Sequence, residues 1–233
     1  MSTISNSLSL KSRSCDTCET RSESIFCSLP PDALEIINKS KILNHYRRGQ
    51  YVFYSGNMPP GLYCVSSGVI KLEVEGPTGN GHILRVVQGG GVLGYRSLFA
   101  EESYEASAVV QDDAVICLIP KSAVLELVER HPNVAMKLLS QVSKELRSAE
   151  ARFCAQTDKN ASERIAEALL FLKDKFAEQT WTRKEISEWA GTTPETVMRS
   201  LAEFEDEGLI EQKGRKITIV KKSTLMERAN LSF

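Results

Sequence analysis

The sequence predicts an α+β chain that combines an N-terminal antiparallel β jelly-roll, one long helix and a C-terminal helical domain ending in a β-hairpin. Ile70–Glu75 alternates strictly between apolar and charged residues, as a strand with one solvated face does. After Pro132, apolar residues recur at intervals of four and three, which indicates a long helix with a narrow apolar seam. Closer to the C-terminus, capping residues and glycines punctuate shorter helical stretches.

Composition places the chain among ordinary globular proteins. Its 233 residues include 42% hydrophobic and 25% charged residues, which excludes a mostly disordered or fibrous chain. The longest apolar run of the likely core, Ala114–Ile119, is far below the ~20 residues of a membrane-spanning helix. Lys11 and Arg13 precede no apolar segment typical of a signal peptide. We therefore expect a cytoplasmic protein without membrane association, whose six cysteines are thiols or metal ligands.

The charge balance excludes a globally basic nucleic-acid binder. Lys and Arg number 29 against 30 Asp and Glu, giving a formal net charge of −1. The signs are nevertheless segregated in the last third, where basic residues cluster at 213–216 and 221–222 and acidic residues at 203–207. Segregated charge can still present one basic face to a polyanion.

The first half of the chain predicts a short arm followed by a β-domain. Residues 1–28 are expected to form a poorly ordered arm that contains Cys15, Cys18 and Cys27. A short helix follows at Asp32, and from about Tyr46 short strands alternate with glycine-rich turns up to Ile119. This pattern predicts a β-roll sensory domain over residues 29–130.

Residues 131–157 predict a dimerisation helix. Its apolar positions follow heptad spacing, with polar residues on the remaining surface. The seam consists of Ala135, Leu139, Val142, Leu146, Ala149 and Phe153. The alternative is a core helix whose spacing happens to fit a heptad.

Residues 158–233 predict a winged helix-turn-helix. We expect Ser162 to cap a helix over 163–176, followed by a short strand and a second helix that starts at the capping box Thr182–Glu185. Gly191 provides the turn, and Thr193 with Pro194 opens a third helix that runs to about Glu207. The segment 209–220 predicts a strand, a turn and a second strand, and this hairpin is the wing.

The third helix carries residue types that read DNA bases. Glu195 and Arg199 lie four residues apart and share one helix face. In a major groove, a carboxylate accepts from cytosine N4 and an arginine bonds guanine O6 and N7. The alternative is an ordinary ion pair on a solvated helix. The complete expected contact set for double-stranded DNA is Thr193, Glu195, Thr196, Met198, Arg199, Arg183, Lys213 and Arg215.

Enzyme interpretations find little support. The stretch Gly89–Gly94 matches the G-x-G-x-x-G pattern of dinucleotide sites, but its flanking strands alternate as in antiparallel sheets and no crossover helix follows. The three histidines stand without partners at metal-ligand spacing. Neither a G-x-S-x-G elbow nor a Walker sequence occurs, so we expect no catalytic residues and no enzyme.

The order of these parts resembles the Crp/Fnr family of bacterial transcription regulators, over nearly the whole chain from about residue 25. The segments that carry the resemblance are 61–72, 93–99 and 181–219. It implies a cyclic-nucleotide-binding-like β-domain that senses a signal, a homodimer on a palindromic DNA site, and RNA polymerase as a partner. Glu195 and Arg199 match the family's base-reading pair. Met198 stands where Fnr-like members usually have Ser, which leaves the outer bases of the half-site open.

The resemblance also bears on a nucleotide effector. The expected effector pocket comprises Gly94, Tyr95, Arg96 and Ser107. In the cyclic-nucleotide-binding branch, a Glu follows this Gly and an Arg precedes the Ser-Ala pair, so that they hold the ribose and the cyclic phosphate. This chain has Tyr95 and Ala106 at those positions, which argues against cyclic nucleotide binding.

The Fnr branch instead holds an oxygen-labile [4Fe-4S] cluster with N-terminal cysteines and one cysteine of the β-domain. The resemblance implies Cys15, Cys18, Cys27 and Cys117 as candidate ligands, although eight residues separate Cys18 from Cys27 where the branch has five. A zinc site, a thiol–disulfide switch and the absence of any cofactor remain alternatives. Cys64 and Cys154 are expected to be packed thiols. Rival functions are a cyclic-nucleotide-responsive regulator and a β-domain regulatory subunit of an enzyme.

Overall fold

The computed structural model describes residues 14–77, 79–177 and 179–231. Their contacts divide the chain into two compact units. The first holds the described residues up to Ile70 together with Val87–Leu139, and the second holds Lys71–Val86 and the chain from Ser140 onward. Residues 71–86 belong to the second unit in this division, and they lie within the segment 29–130 that the sequence predicts as the β-domain.

The β-domain is built on a six-stranded sheet. Strand β6 lies between β1 and β3, β3 also pairs with β4, and the short strands β2 and β5 pair with β6 and β3. The β1–β6, β2–β6 and β3–β5 pairs are antiparallel, which confirms the fold class and removes the parallel context that a dinucleotide site needs. The strands are β1 (Ile42–Tyr46), β2 (Tyr51–Phe53), β3 (Gly61–Glu75), β4 (Gly81–Gln88), β5 (Val92–Leu93) and β6 (Ser107–Pro120).

Glycine is required where β3 crosses β6. Gly68 has a φ of 91°, and a Cβ at this position would lie 2.5 Å from the carbonyl oxygen of Asp113. Only a residue without a side chain combines this backbone conformation with so close an approach.

Helices cover the sheet of the first unit. They are α1 (Pro31–Ser40), α2 (Tyr95–Ala100), α3 (Lys121–Arg130) and the start of α4 (Asn133–Asp158). Their apolar faces share one core cluster with Leu62 and Ile119 of the strands. Among the described residues, no helix is both long enough and apolar enough to cross a lipid bilayer, and this includes α4 with its 26 residues.

The described part of the arm, residues 14–28, is ordered, contrary to the expectation from its polar sequence. Two short 3-10 turns, Cys15–Thr17 and Arg21–Glu23, lead to Phe26, which is buried in the core cluster. The Thr20 hydroxyl donates to the carbonyl oxygen of Ser66 at 3.1 Å. Thr20 and Glu23 also lie so close to Gly89 and Gly90 that a Cβ on either glycine would clash. Residues 1–13 of the expected arm lie outside the described residues.

The second unit contains the winged helix-turn-helix. Asn160, not Ser162, caps the first helix through a capping box with Glu163, because its side chain precedes the first turn. The predicted capping box at Thr182 and the left-handed turn at Gly191 are both present. Residues 179–182 carry no strand, where the sequence predicts a short one. The elements are α5 (Ala161–Lys175), α6 (Arg183–Ala190), α7 (Pro194–Asp206), β7 (Ile210–Lys213), β8 (Lys216–Ile219) and α8 (Lys222–Arg228).

Arg152 of α4 joins the hairpin segment 81–86 to α6 within this unit. Its guanidinium donates to the carbonyl oxygens of Leu84 at 2.7 Å and of Ile83 and Trp189 at 3.1 Å. It also lies 4.2 Å above the centroid of the Trp189 ring. One half-buried side chain therefore satisfies backbone acceptors on two elements at once.

Candidate nucleic-acid interface and thiol cavity

Helix α7 presents one apolar and one polar face. Val197, Leu201 and Phe204 are fully buried, whereas Glu195 and Arg199 are exposed. Its start is fixed by Thr193, whose hydroxyl oxygen accepts from the backbone N–H of Thr196 at 3.3 Å. The inner face fixes the orientation of α7, so the exposed face is available for an external partner. Met198 belongs to the exposed face, with 54% of its surface accessible.

Glu195 and Arg199 are not neutralised by each other. Among the described residues, neither side chain forms an ion pair. Backbone N–H bonding at Glu195 itself and the Thr193 hydroxyl hold the pKa of the Glu195 carboxyl below its ordinary value. At neutral pH this carboxylate is therefore an ionised hydrogen-bond acceptor beside an arginine donor.

The wing carries the basic residues that the sequence singles out. Lys213 and Lys216 pair across β7 and β8, and the turn between them contains Gly214, with a φ of 61°, and Arg215. Lys213 and Arg215 are exposed. Arg183 behaves differently: its guanidinium bonds the Gln212 side chain and the carbonyl oxygens of Gly214 and Arg215. Arg183 thus connects α6 to the wing.

The predicted seam of α4 is an exposed apolar stripe. Leu139 and Leu146 are each 57% exposed, and Phe153 is 70% exposed. Val142 and Ala149 are exposed between them. We call these five residues the α4 stripe. An apolar row of this length on an exposed helix face is typical of a protein–protein contact.

The four residues of the expected effector pocket have different environments. Gly94 begins α2 in the left-handed conformation, and the Tyr95 ring is buried in the core cluster. The Arg96 side chain is exposed. The Ser107 hydroxyl accepts from the backbone N–H of Ser55 at 3.0 Å.

Four of the six cysteines line one cavity of the first unit, of about 50 Å³. Cys15 and Cys18 come from the arm, Cys64 from β3 and Cys117 from β6. The sequence-based set and this cavity share three members, but Cys64 takes the place expected for Cys27. Alternation along β3 places Cys64 and Ser66 on one face of the strand, but it does not predict that the arm packs against that face.

Polar groups contact the two arm cysteines. The Lys41 ammonium donates to the Cys15 sulfur at 3.1 Å and to the Asn38 side-chain oxygen at 3.0 Å. The Cys18 sulfur lies 3.6 Å from the Thr20 hydroxyl and 3.8 Å from the Ser66 hydroxyl. Burial by itself raises the pKa of the Cys18 thiol, but these hydroxyl contacts, a backbone bond from Thr20 and the Lys41 charge together leave the pKa below its ordinary value.

The two strand cysteines have the opposite electrostatic environment. Burial raises the pKa of the Cys117 thiol to about 11, and neighbouring Cys15 and Cys18 add to this effect. Burial also raises the pKa of Cys64, with contributions from Cys117, Cys15 and Cys18. Both strand cysteines are therefore protonated thiols and weak nucleophiles at neutral pH.

The remaining cysteines lie elsewhere. Cys27 is exposed, and its sulfur accepts from the Lys137 ammonium at 3.5 Å. Cys154 is exposed on α4 in the second unit, not packed as the sequence suggests. Among the residues with described positions, no group of three or more His, Cys, Asp or Glu side chains is close enough together to hold one metal ion.

Comparison with known proteins matches both halves of the chain to family models. Residues 43–131 match the cyclic nucleotide-binding domain, and residues 163–228 match the Crp-like helix-turn-helix domain. Electron transport regulator A of Shewanella oneidensis is 29% identical over 195 residues, which cover 80% of this chain and 76% of that protein. The chain belongs to the Crp/Fnr family of transcription regulators.

Further relatives agree with this family assignment. The fumarate and nitrate reduction regulatory protein of Escherichia coli K12 is 27% identical over 192 residues, covering 78% of this chain and 76% of that protein. The structure of FixK2 from Bradyrhizobium japonicum superposes with a TM-score of 0.73 at 23% identity, covering 83% of this chain and 99% of that one, which shows the common fold. Crp/Fnr proteins are regulators with a helix-turn-helix DNA-binding domain, so the chain is a transcription regulator and not an enzyme.

Proposed function

We propose that this Crp/Fnr protein is a homodimer that reads a palindromic DNA site with the exposed face of α7. The observation that carries the proposal is the exposed pair Glu195 and Arg199. Neither side chain forms an ion pair with the described residues, and the opposite face of their helix is fully buried. Arg199 would bond guanine O6 and N7, and Glu195 would accept from cytosine N4. This pair favours a TGA-type half-site core, as the resemblance to the family implies.

The other predicted contacts surround this pair. Thr193 caps α7, and Thr196 and Met198 lie on its first two turns, the part of a recognition helix that enters the major groove. Lys213 and Arg215 on the wing are placed to contact phosphates, which position a protein without reading sequence. Arg183 acts through the wing by bonding Gln212 and the turn carbonyls.

Dimerisation is assigned to the α4 stripe. Two copies of the helix would bury their leucines, valine and phenylalanine against each other in coiled-coil fashion. A dimer places two recognition helices about one helical turn of DNA apart, as a palindromic site requires. Such a regulator acts on the chromosome in the cytoplasm, with RNA polymerase as its partner.

The sensor is assigned to the cysteine-containing first unit. Relatives that regulate electron transport and fumarate and nitrate reduction favour a redox signal over a cyclic nucleotide. The donor set fits an iron–sulfur cluster, since several thiols surround one cavity and soft thiolates are the ligands that such clusters take. When bound, a cluster would supply an oxygen-labile group whose loss alters the first unit. Tyr95 and Ala106 replace the side chains that a cyclic nucleotide needs, so that alternative effector finds no support.

DNA binding tests the α7 assignment directly. Arg199→Ala should cost about 1–3 kcal/mol at the specific site and relax the preference at one guanine per half-site. Lys213→Ala and Arg215→Ala should weaken specific and random DNA equally and flatten the salt dependence. Fluorescence anisotropy on wild-type and base-substituted duplexes at several salt concentrations measures both effects.

Arg130→Ala, an exposed arginine of α3, is the matched control and should leave both affinities unchanged. The wing variants should weaken binding to specific and random DNA equally. If Arg199→Ala also weakens binding to both DNAs equally, the assignment of α7 is wrong.

A further inference from the structure

Gln212 is a polar residue on the inward face of the wing. It lies two positions after Ile210 in β7, so the two side chains share one face of the strand. Ile210 is buried, as is Ile217, the residue paired with Gln212 across the hairpin. Glu211 and Lys213, on the other face, are exposed. A polar side chain on the inward face needs hydrogen-bond partners within the protein.

The Gln212 amide finds these partners on both helices of the helix-turn-helix. Its Oε1 accepts from the Arg183 guanidinium of α6. Its Nε2 donates to Glu205 Oε2 of α7 at 2.9 Å, and the Gln212 backbone N–H donates to Glu205 Oε1 at 2.7 Å. We call Arg183, Gln212 and Glu205 the wing anchor. One side chain therefore joins the wing to α6 and to α7.

An amide suits this position chemically. It accepts from a guanidinium and donates to a carboxylate at the same time, which neither a charged nor an aliphatic side chain can do. A glutamate at position 212 would repel Glu205, and a lysine would repel Arg183. The two charged neighbours therefore select a side chain by its hydrogen bonding and not only by its volume.

The wing anchor controls the position of two exposed basic side chains. In the described part of the chain, the side chains of Lys213 and Arg215 form neither a hydrogen bond nor an ion pair. Their positions follow from the backbone of the turn, where the Arg183 guanidinium reaches the carbonyl oxygens of Gly214 and Arg215 at 3.5 Å. Gln212 directly precedes Lys213 in the chain. A shift of Gln212 would therefore displace both cations.

Glu205 connects the wing to the helix that carries the proposed base-reading pair. Arg199 precedes Glu205 by six residues on α7, which is about 9 Å along the helix axis at about 1.5 Å per residue. The buried inner face holds α7 in place, so a wing bonded to Glu205 keeps a constant distance from Arg199. Phosphate contacts set the register of a protein on the duplex, and base contacts depend on that register.

We infer that Gln212 is a positioning residue for DNA binding. Together with Arg183 and Glu205, it holds the wing where Lys213 and Arg215 meet phosphates while α7 reads bases. This inference rests on the proposed function and extends it to a residue that acts through the wing. Without the Gln212 bonds, the wing would have to be ordered during binding, which lowers the affinity for every DNA sequence.

Exchanging the amide and the carboxylate within the wing anchor tests this inference. Gln212→Glu places two carboxylates together, and Glu205→Gln leaves one amide donor opposite another. Each single variant should weaken binding to specific and random DNA by about three- to tenfold. The double variant restores an amide–carboxylate pair with the wild-type net charge and should recover wild-type affinity to within about twofold. Fluorescence anisotropy of the full-length protein measures these affinities.

The direct effect of charge on DNA binding predicts a different pattern. Removal of the Glu205 charge would by itself strengthen binding to a polyanion, so charge alone does not explain a weaker Glu205→Gln protein. Glu211→Gln removes the same charge from the exposed face of β7 and is the matched control, which should not weaken binding. Amide hydrogen exchange in residues 210–219 should be faster in each single variant and normal in the double variant.

A second test asks whether Gln212 acts through the two cations of the wing. Gln212→Met removes both side-chain bonds without changing the charge and should weaken binding by about three- to tenfold. In a background that carries Lys213→Ala and Arg215→Ala, the same substitution should change affinity by less than about twofold, because no wing contact remains to be positioned. Equal losses in both backgrounds, tighter binding by Glu205→Gln, or a double exchange variant as weak as the single ones would overturn the inference.

The outcomes also separate this inference from the proposed function. If Lys213→Ala and Arg215→Ala flatten the salt dependence but Gln212→Met binds normally, the wing contacts stand and Gln212 is not a positioning residue. If the two wing variants leave affinity and salt dependence unchanged, the proposed wing contacts are wrong, and the inference is wrong with them.

Discussion

Arg152→Ala tests how the hairpin segment 81–86 is held within the second unit. The guanidinium donates to three carbonyl oxygens, of Leu84, Ile83 and Trp189, and stacks on the Trp189 ring. After truncation, water can reach the exposed Leu84 carbonyl, but the two partly buried acceptors lose a charged donor. The variant therefore removes bonds on two elements that are distant in sequence.

The magnitude follows from these contacts. Each partly buried bond to a charged donor contributes about 1.5 kcal/mol, and the cation–π contact about 0.5–1 kcal/mol. Removing the guanidinium also removes its own desolvation cost, which offsets part of this loss. We expect the free energy of unfolding of Arg152→Ala to fall by about 2–3 kcal/mol. Arg152→Lys should lose about half as much, because one ammonium cannot reach three separate acceptors as the planar guanidinium does.

Urea unfolding at a fixed protein concentration measures this effect, since dimerisation would otherwise change the apparent stability. Amide hydrogen exchange should also become faster in residues 81–86 and in α6, which locates the loss. Arg147→Ala, an exposed arginine on the same helix, is the matched control and should change stability by less than about 0.5 kcal/mol. An Arg152→Ala protein as stable as this control, with unchanged exchange in residues 81–86, would refute the reasoning.

Two further predictions concern the stripe and the core of α7. Leu146→Glu should dissociate the dimer, because it buries an unpaired carboxylate in an apolar contact. Sedimentation should show monomers, with specific DNA binding reduced in parallel, whereas Ser148→Glu on another face of α4 should remain dimeric. Phe204→Ala should destabilise the protein by about 3–5 kcal/mol, since it empties a fully buried site. Thermal unfolding measures this loss, and exposed Asp206→Ala should change little.

Local patterns in the sequence were sufficient for most of the fold. Strict alternation identified β3, heptad spacing identified the apolar stripe of α4, and the Thr182 capping box with Gly191 identified the helix-turn-helix. Each of these features depends on residues within a few positions of one another, so side-chain period and capping chemistry predict it directly. The exposure of Glu195 and Arg199 follows in the same way, because the apolar residues of α7 fix which face is buried.

The polar composition of the arm predicts disorder that the structure does not show. A segment rich in serine and charged residues was expected to lack order, yet Phe26 inserts into the core and Thr20 bonds to Ser66 of β3. Contacts with residues distant in sequence stabilise the ordered arm against its loss of conformational entropy. In the pair Thr20 and Ser66, the two residues are 46 positions apart. No local pattern within the arm reports on such contacts.

The spacing of the cysteines in the sequence predicts that several of them form one site. Only the tertiary structure decides which of them line the same cavity. The C-x2-C pair of Cys15 and Cys18 is visible in the sequence, but Cys64 and Cys117 become neighbours only because β3 and β6 are paired in the sheet. Cys27 is close to Cys18 in sequence and yet is excluded, because the burial of Phe26 turns the chain away from the cavity. Ligand geometry depends on distances in space, and strand pairing and apolar burial set those distances independently of separation along the chain.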